Sequence, residues 1–175
     1  MLDGSVRYLV EKVGDGSIIK RFDQTPFPQE PDDVVCPHFL ELKWAYGCPY
    51  NCAWCYLQGT LNRLKTKKKP VVKAWEVTKR HVRAFLRSRS PPEILNTGEI
   101  TDSLWSELHG TPMSNTLIPM FYGTPHKLLF VTKGTRIDNL VALSERYGTA
   151  CVVLSWSVNA PSVAWRWEKG APHPM

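Results

Sequence analysis

The chain has 175 residues, 43% of them hydrophobic and 22% charged, with a formal net charge of +6 at pH 7. These values exclude a disordered or collagen-like chain, and no apolar run approaches the ~20 residues of a bilayer-spanning helix, so one domain with a buried core and no membrane partner is expected. The basic balance permits a nucleic-acid partner without demanding one.

At the start, Met1 to Ser5 carry neither the basic nor the apolar stretch of a secretory signal. Ser5–Val13 and Ser17–Phe22 are β-prone runs around Gly14-Asp15-Gly16, a hairpin signal. Gln24–Pro37 holds four prolines and Asp32-Asp33 and reads as an irregular connector. Residues 1–38 therefore form a hairpin and connector, and residues 39–175 the core domain.

Phe39–Tyr46 is β-like and runs into a cysteine-rich loop at Gly47. Basic residues follow at Arg63, Lys65 and Lys67-Lys68-Lys69. They read as a solvated loop, with phosphate contact the sharper alternative. Val71–Ser88 has helical periodicity, with Trp75, Val82 and Phe85 on one side. Glu93–Thr97 is a short strand, Asn115–Tyr122 a helix interrupted by Pro119, His126–Thr132 a strand, Ile137–Tyr147 a helix and Ala150–Val158 a strand. Strands alternating with helices predict parallel βαβ units, either an open α/β sheet or part of a barrel. Trp165 and Trp167 are expected to pack against a further element. Glu168–Met175 reads as a loop, so the fold is expected to be truncated after the fourth strand.

The loop Gly47-Cys48-Pro49-Tyr50-Asn51-Cys52-Ala53-Trp54-Cys55-Tyr56 places three of five cysteines within eight positions. That density fits a metal site in a reducing compartment, hence the cytoplasm, better than a disulfide framework. Three thiolates around a [4Fe–4S] cube leave one iron open for chemistry. A closed zinc site needs a fourth ligand, for which Cys36 and His38 are the candidates; both lie beyond a whole strand.

Cys48-x3-Cys52-x-Trp54-Cys55 resembles the signature of the radical-SAM superfamily. The continuation Tyr56-Leu57-Gln58-Gly59-Thr60 is similar to its spore photoproduct lyase branch. So are Asn96–Leu104, Val131-Thr132-Lys133, Ser155–Asn159 and Glu168–Pro172. The resemblance implies a partial (β/α)6 barrel whose cluster, on Cys48, Cys52 and Cys55, binds S-adenosylmethionine and cleaves it to a 5′-deoxyadenosyl radical. An external donor such as flavodoxin or ferredoxin would supply the electron. Further roles follow from the same resemblance. Gly98 and Glu99 would meet the methionyl ammonium and Lys133 its carboxylate, Ser157 and Asn159 would lie near the cofactor, and Trp54 would pack along the adenine. Tyr56, beside the cluster, would take part in hydrogen return. The alternative from another class is a truncated or catalytically silent iron–sulfur protein.

One departure bears on the reaction. Spore photoproduct lyases place a hydrogen-donating cysteine where this chain has Asn96, and an amide N–H is too strong a bond to serve. Cys151 shares the parity of Ser157 but should lie about 20 Å below it along the strand. The lyase reaction itself is thus not carried over, and the substrate stays open, nucleic acid included.

Overall fold

The structure, a computed structural model, describes residues 17–21, 39–59, 70–88, 91–108 and 110–173. Strands β1 (Ile19–Arg21) and β2 (Leu40–Leu42) are followed by three two-residue strands, β3 (Ala45–Tyr46), β4 (Asn51–Cys52) and β5 (Val71–Val72). Helix α1 (Trp75–Arg87), β6 (Ile94–Asn96), a 3-10 turn (Trp105–Leu108) and α2 (Ser114–Phe121) come next. The chain continues through β7 (Lys127–Thr132), α3 (Asp138–Tyr147), β8 (Val152–Trp156), α4 (Pro161–Trp167) and β9 (Glu168–Lys169).

The main sheet runs β1-β2-β6-β7-β8, with β1 antiparallel and the other four parallel. Spatial order thus follows sequence order. Right-handed crossovers in that order keep the helices on one face, as in a barrel wall; a doubly wound sheet would reverse direction part-way.

Side-chain alternation divides the sheet into two faces. Leu42, Leu95, Leu128 and Phe130 form a core with Val82 of α1, Leu117, Ile118 and Phe121 of α2, and Leu140 of α3. Burying each such side chain contributes roughly 1.5–3 kcal/mol. On the other face the register aligns Glu41 with Asn96, Asn96 with Leu129, Leu129 with Val153, and Val131 with Ser155. This face is more polar and opens toward solvent along β8, where Val153 and Ser155 are exposed.

The predicted strand 39–46 is interrupted at Lys43-Trp44, where the Trp44 amide turns back to the Leu42 carbonyl at 3.0 Å and its indole Nε1 donates to the Thr97 carbonyl at 2.9 Å. The helix predicted from Val71 starts at Trp75, because Val71 and Val72 pair antiparallel with Tyr46 and Ala45. The C-terminal loop reading is also corrected. Trp165 and Trp167 lie on α4, are 68% and 45% exposed, and lead into β9, which pairs antiparallel with β4. Of the N-terminal hairpin only β1 falls within the described residues; the Pro-rich connector, Cys36, His38 and the basic run at 63–69 lie outside them.

Candidate functional site

The cysteine loop leaves β3 through Gly47, whose φ of 92° belongs to the left-handed region that side chains resist. Its amide donates to the Ile100 carbonyl at 3.0 Å, anchoring the loop to the segment after β6. Farther along, Asn51 and Cys52 pair with Lys169 and Glu168, and the Ala53 amide donates to the Trp167 carbonyl at 2.9 Å. Gln58 Nε2 closes the loop from inside by donating to Asn51 Oδ1 at 2.7 Å.

Cys48, Cys52 and Cys55 line a pocket of about 320 Å³ at the carboxyl ends of the parallel strands, the end at which such folds place ligands. Trp54, Tyr56, Gly98, Glu99, Lys133 and Ser157 line it as well. Asn159 does not; it lies in a neighbouring 120 Å³ pocket that shares Lys133 and Ser157. Nine of the ten residues singled out from the sequence thus converge on one cavity.

Glu99 is held from two sides. The Tyr56 hydroxyl lies 2.9 Å from Glu99 Oε1 and 2.6 Å from its carbonyl, while Asn96 Nδ2 donates to Oε2 at 3.3 Å. Burial first, and then the Glu99 carboxylate, push the Tyr56 hydroxyl well above the usual tyrosine range. Asn96 Oδ1 meanwhile accepts from the Gly98 amide at 2.9 Å. At Gly98 a Cβ would stand 2.6 Å from the Val131 carbonyl oxygen and 2.8 Å from Val131 Cβ, so the close approach of this turn to β7 requires glycine.

Lys133 follows β7 and is braced by three acceptors. Its Nζ meets Glu168 Oε1 at 2.7 Å, the Ser157 carbonyl at 2.6 Å and Ser157 Oγ at 3.3 Å. Asn159 Nδ2 donates to the same Glu168 Oε1 at 2.6 Å. Asp102, buried beneath the pocket, accepts from Thr132 Oγ1 at 2.8 Å, the Lys133 amide at 2.9 Å and the Leu104 amide at 3.0 Å. Burial raises its carboxyl, and those hydrogen bonds partly offset the rise.

Asp102 and Glu168 were not singled out from the sequence. Asp102 offered a faint signal, a second acid after Glu99 in the segment that follows a strand. Glu168 fell within the Glu168–Pro172 resemblance but showed no role of its own, because its partners Cys52, Lys133 and Asn159 come from three separate segments.

Burial pushes the Cys48 thiol up to about 12 and raises Cys52 as well, with Glu168 its next-largest cause. Among the described residues no three His, Cys, Asp or Glu side chains already stand as a metal cage. The donor set still fits an iron–sulfur cluster: three thiols on one short loop, facing a cavity with room beside them. Metal binding would draw off the protons that burial retains. Cys151 is no part of this site. It is buried in the core between sheet and helices, just before β8, and so does not face the pocket side as its parity predicts.

No family model matches the chain, and no curated protein matches it. Solved structures do. A cysteine-to-alanine variant of spore photoproduct lyase with dinucleoside spore photoproduct superposes at a TM-score of 0.62 and 20% identity, over 76% of this chain and 38% of that one.

The fold resembles part of that of spore photoproduct lyase.

A double variant of the lyase with bound AdoMet and the same dinucleoside gives a TM-score of 0.56 at 20% identity, covering 77% of this chain and 38% of the other. The chain therefore spans less than half the length of the spore photoproduct lyase structures it matches. Spore photoproduct lyase is a radical-SAM enzyme.

Proposed function

We propose that this chain is a radical-SAM protein that holds a [4Fe–4S] cluster on Cys48, Cys52 and Cys55 and S-adenosylmethionine in the adjoining pocket. The observation that carries this reading is the convergence of those three thiols with Glu99, Lys133 and Ser157, from four separate loops, on one cavity. When bound, the cluster supplies the electron that breaks a carbon–sulfur bond of S-adenosylmethionine, an electron delivered by a flavodoxin- or ferredoxin-type donor.

The chain's own residues bind and aim. Glu99, fixed by Tyr56 and Asn96, accepts from the methionyl ammonium, a charge-assisted contact. Lys133 offers its ammonium to the methionyl carboxylate. Trp54, half exposed at the pocket mouth, covers the adenine. Tyr56 in this arrangement acts as a brace for Glu99.

A nucleic-acid substrate is supported by the exposed Trp165 and Trp167, each with a cation over its ring: Lys169 at 5.7 Å and Arg166 at 5.1 Å. Such pairs suit base stacking, and the lyase structures carry a dinucleoside. Repair by thiol hydrogen return is not part of the proposal. Asn96 occupies the relevant position, and Cys151 is enclosed in the core.

Anaerobic reconstitution with iron and sulfide tests the cluster. About four irons and four sulfides per chain are expected, with loss of both in Cys48→Ala, Cys52→Ala and Cys55→Ala. A colourless protein holding one zinc and no iron overturns the proposal.

A further inference from the structure

Two residues read separately from the sequence as cofactor contacts, Lys133 and Asn159, meet at one carboxylate, and a third, Ser157, accepts from the same Lys133. Glu168 is buried to 2% exposure, and its Oε1 accepts from both Lys133 Nζ and Asn159 Nδ2. Its backbone lies on β9, directly opposite Cys52 on β4. The same strap adds the Ala53-to-Trp167 hydrogen bond. Glu168 therefore touches, through side chain and backbone, both the lysine facing the pocket and the loop carrying the thiols.

We propose that Glu168 is a positioning residue that clamps the cysteine loop, and that Lys133 holds the clamp shut. A buried carboxylate is tolerated only while a cation compensates it; once the partner is lost, the exposed state is favoured. Lys133 is the cation that pairs with Glu168 among the described residues. Without it, a charged Glu168 is relieved when β9 peels away and the carboxylate hydrates. Because β9 is the strand paired with β4, peeling frees Cys52 and Ala53. An apolar pair would have stabilised the strap as well without this dependence; the ion pair makes the loop's closure conditional on Lys133. The functional consequence rests on the radical-SAM reading: the lysine that meets the cofactor carboxylate also sets the frame of the cluster.

The full 175-residue chain tests this through amide hydrogen exchange, without any bound group. In Lys133→Met, exchange at Ala53 should accelerate about tenfold or more, while the core amides of β7 stay at their wild-type rates. The double variant Lys133→Met/Glu168→Gln should return Ala53 to within a few-fold of wild type, because glutamine keeps an acceptor for Asn159 and buries no charge. Unchanged Ala53 exchange in Lys133→Met overturns the proposal. So does acceleration of all amides together, or a double variant no slower than the single. After reconstitution, Lys133→Met should lose iron to a chelator faster than wild type; equal rates count against the clamp. A wild-type chain that takes up no iron overturns the cluster reading and leaves the exchange result standing.

Discussion

Asn96 ends β6 with an amide that accepts from Gly98 and donates to Glu99, so one side chain braces both. Removing it should loosen Glu99 without touching the thiols. We expect Asn96→Ala to weaken S-adenosylmethionine binding about tenfold, roughly the 1.4 kcal/mol of one hydrogen bond to a charged group, with iron content unchanged. Titration of the reconstituted protein followed by the cluster's EPR signal measures this, and wild-type affinity would remove Asn96 from the site. Gly98 makes a sharper steric case. The backbone carbonyl of Val131 stands where a Cβ would go and has no room to retreat, so Gly98→Ala should cost about 1–3 kcal/mol in urea unfolding. The cysteines were legible because their spacing alone constrains chemistry. Asp102 and Glu168 were not, since each acquires its role from partners that only folding brings near.

At the scale of elements, α2 is fastened by a carboxylate outside it. Glu107 accepts from the Ser114 hydroxyl at 3.0 Å and from Asn139 Nδ2 at 3.1 Å, joining the start of α2 to α3. Burial raises the Glu107 carboxyl above its ordinary 4.5, while those hydrogen bonds lower it. A carboxyl raised on folding holds its proton more tightly in the native state. Its contribution is full below the ordinary value and declines as pH rises through the folded value. Glu107→Gln does not titrate, so the stability of wild type relative to this variant should fall between about pH 4 and pH 7. Urea unfolding at both values checks the sign, and a difference that grows with pH contradicts it. The helices and long strands were readable because each satisfies its own hydrophobic period. The two-residue strands were not: β9 exists only through pairing with β4, and the Trp165–Trp167 alternation imitates a strand on what is a helix.

For the molecule as a whole, the informative feature is the order of the parallel strands. Because β2, β6, β7 and β8 follow one another without reversal, their loops collect at one rim, and the pocket inherits one element from each. Alternating strands and helices predicted the parallel sheet. Its sense of winding came only with the pairing, since crossover direction leaves no trace in periodicity. Val153, Trp156 and Val158, on and just after β8, are exposed, as are Trp165 and Trp167, the surface proposed for a nucleic-acid partner. Exchanging both tryptophans for alanine should lower single-stranded DNA affinity at least tenfold, from a loss of about 1–3 kcal/mol per stacked base, and leave iron content as in wild type. Fluorescence anisotropy at fixed salt reads it, and unchanged affinity would discard that surface.

The radical-SAM account is tested most directly by incubating the anaerobically reconstituted chain with S-adenosylmethionine and a strong reductant, then quantifying nucleoside products. The account predicts 5′-deoxyadenosine and methionine in equal amounts, both abolished in Cys52→Ala. An intact cofactor beside a fully loaded, reducible cluster would contradict it.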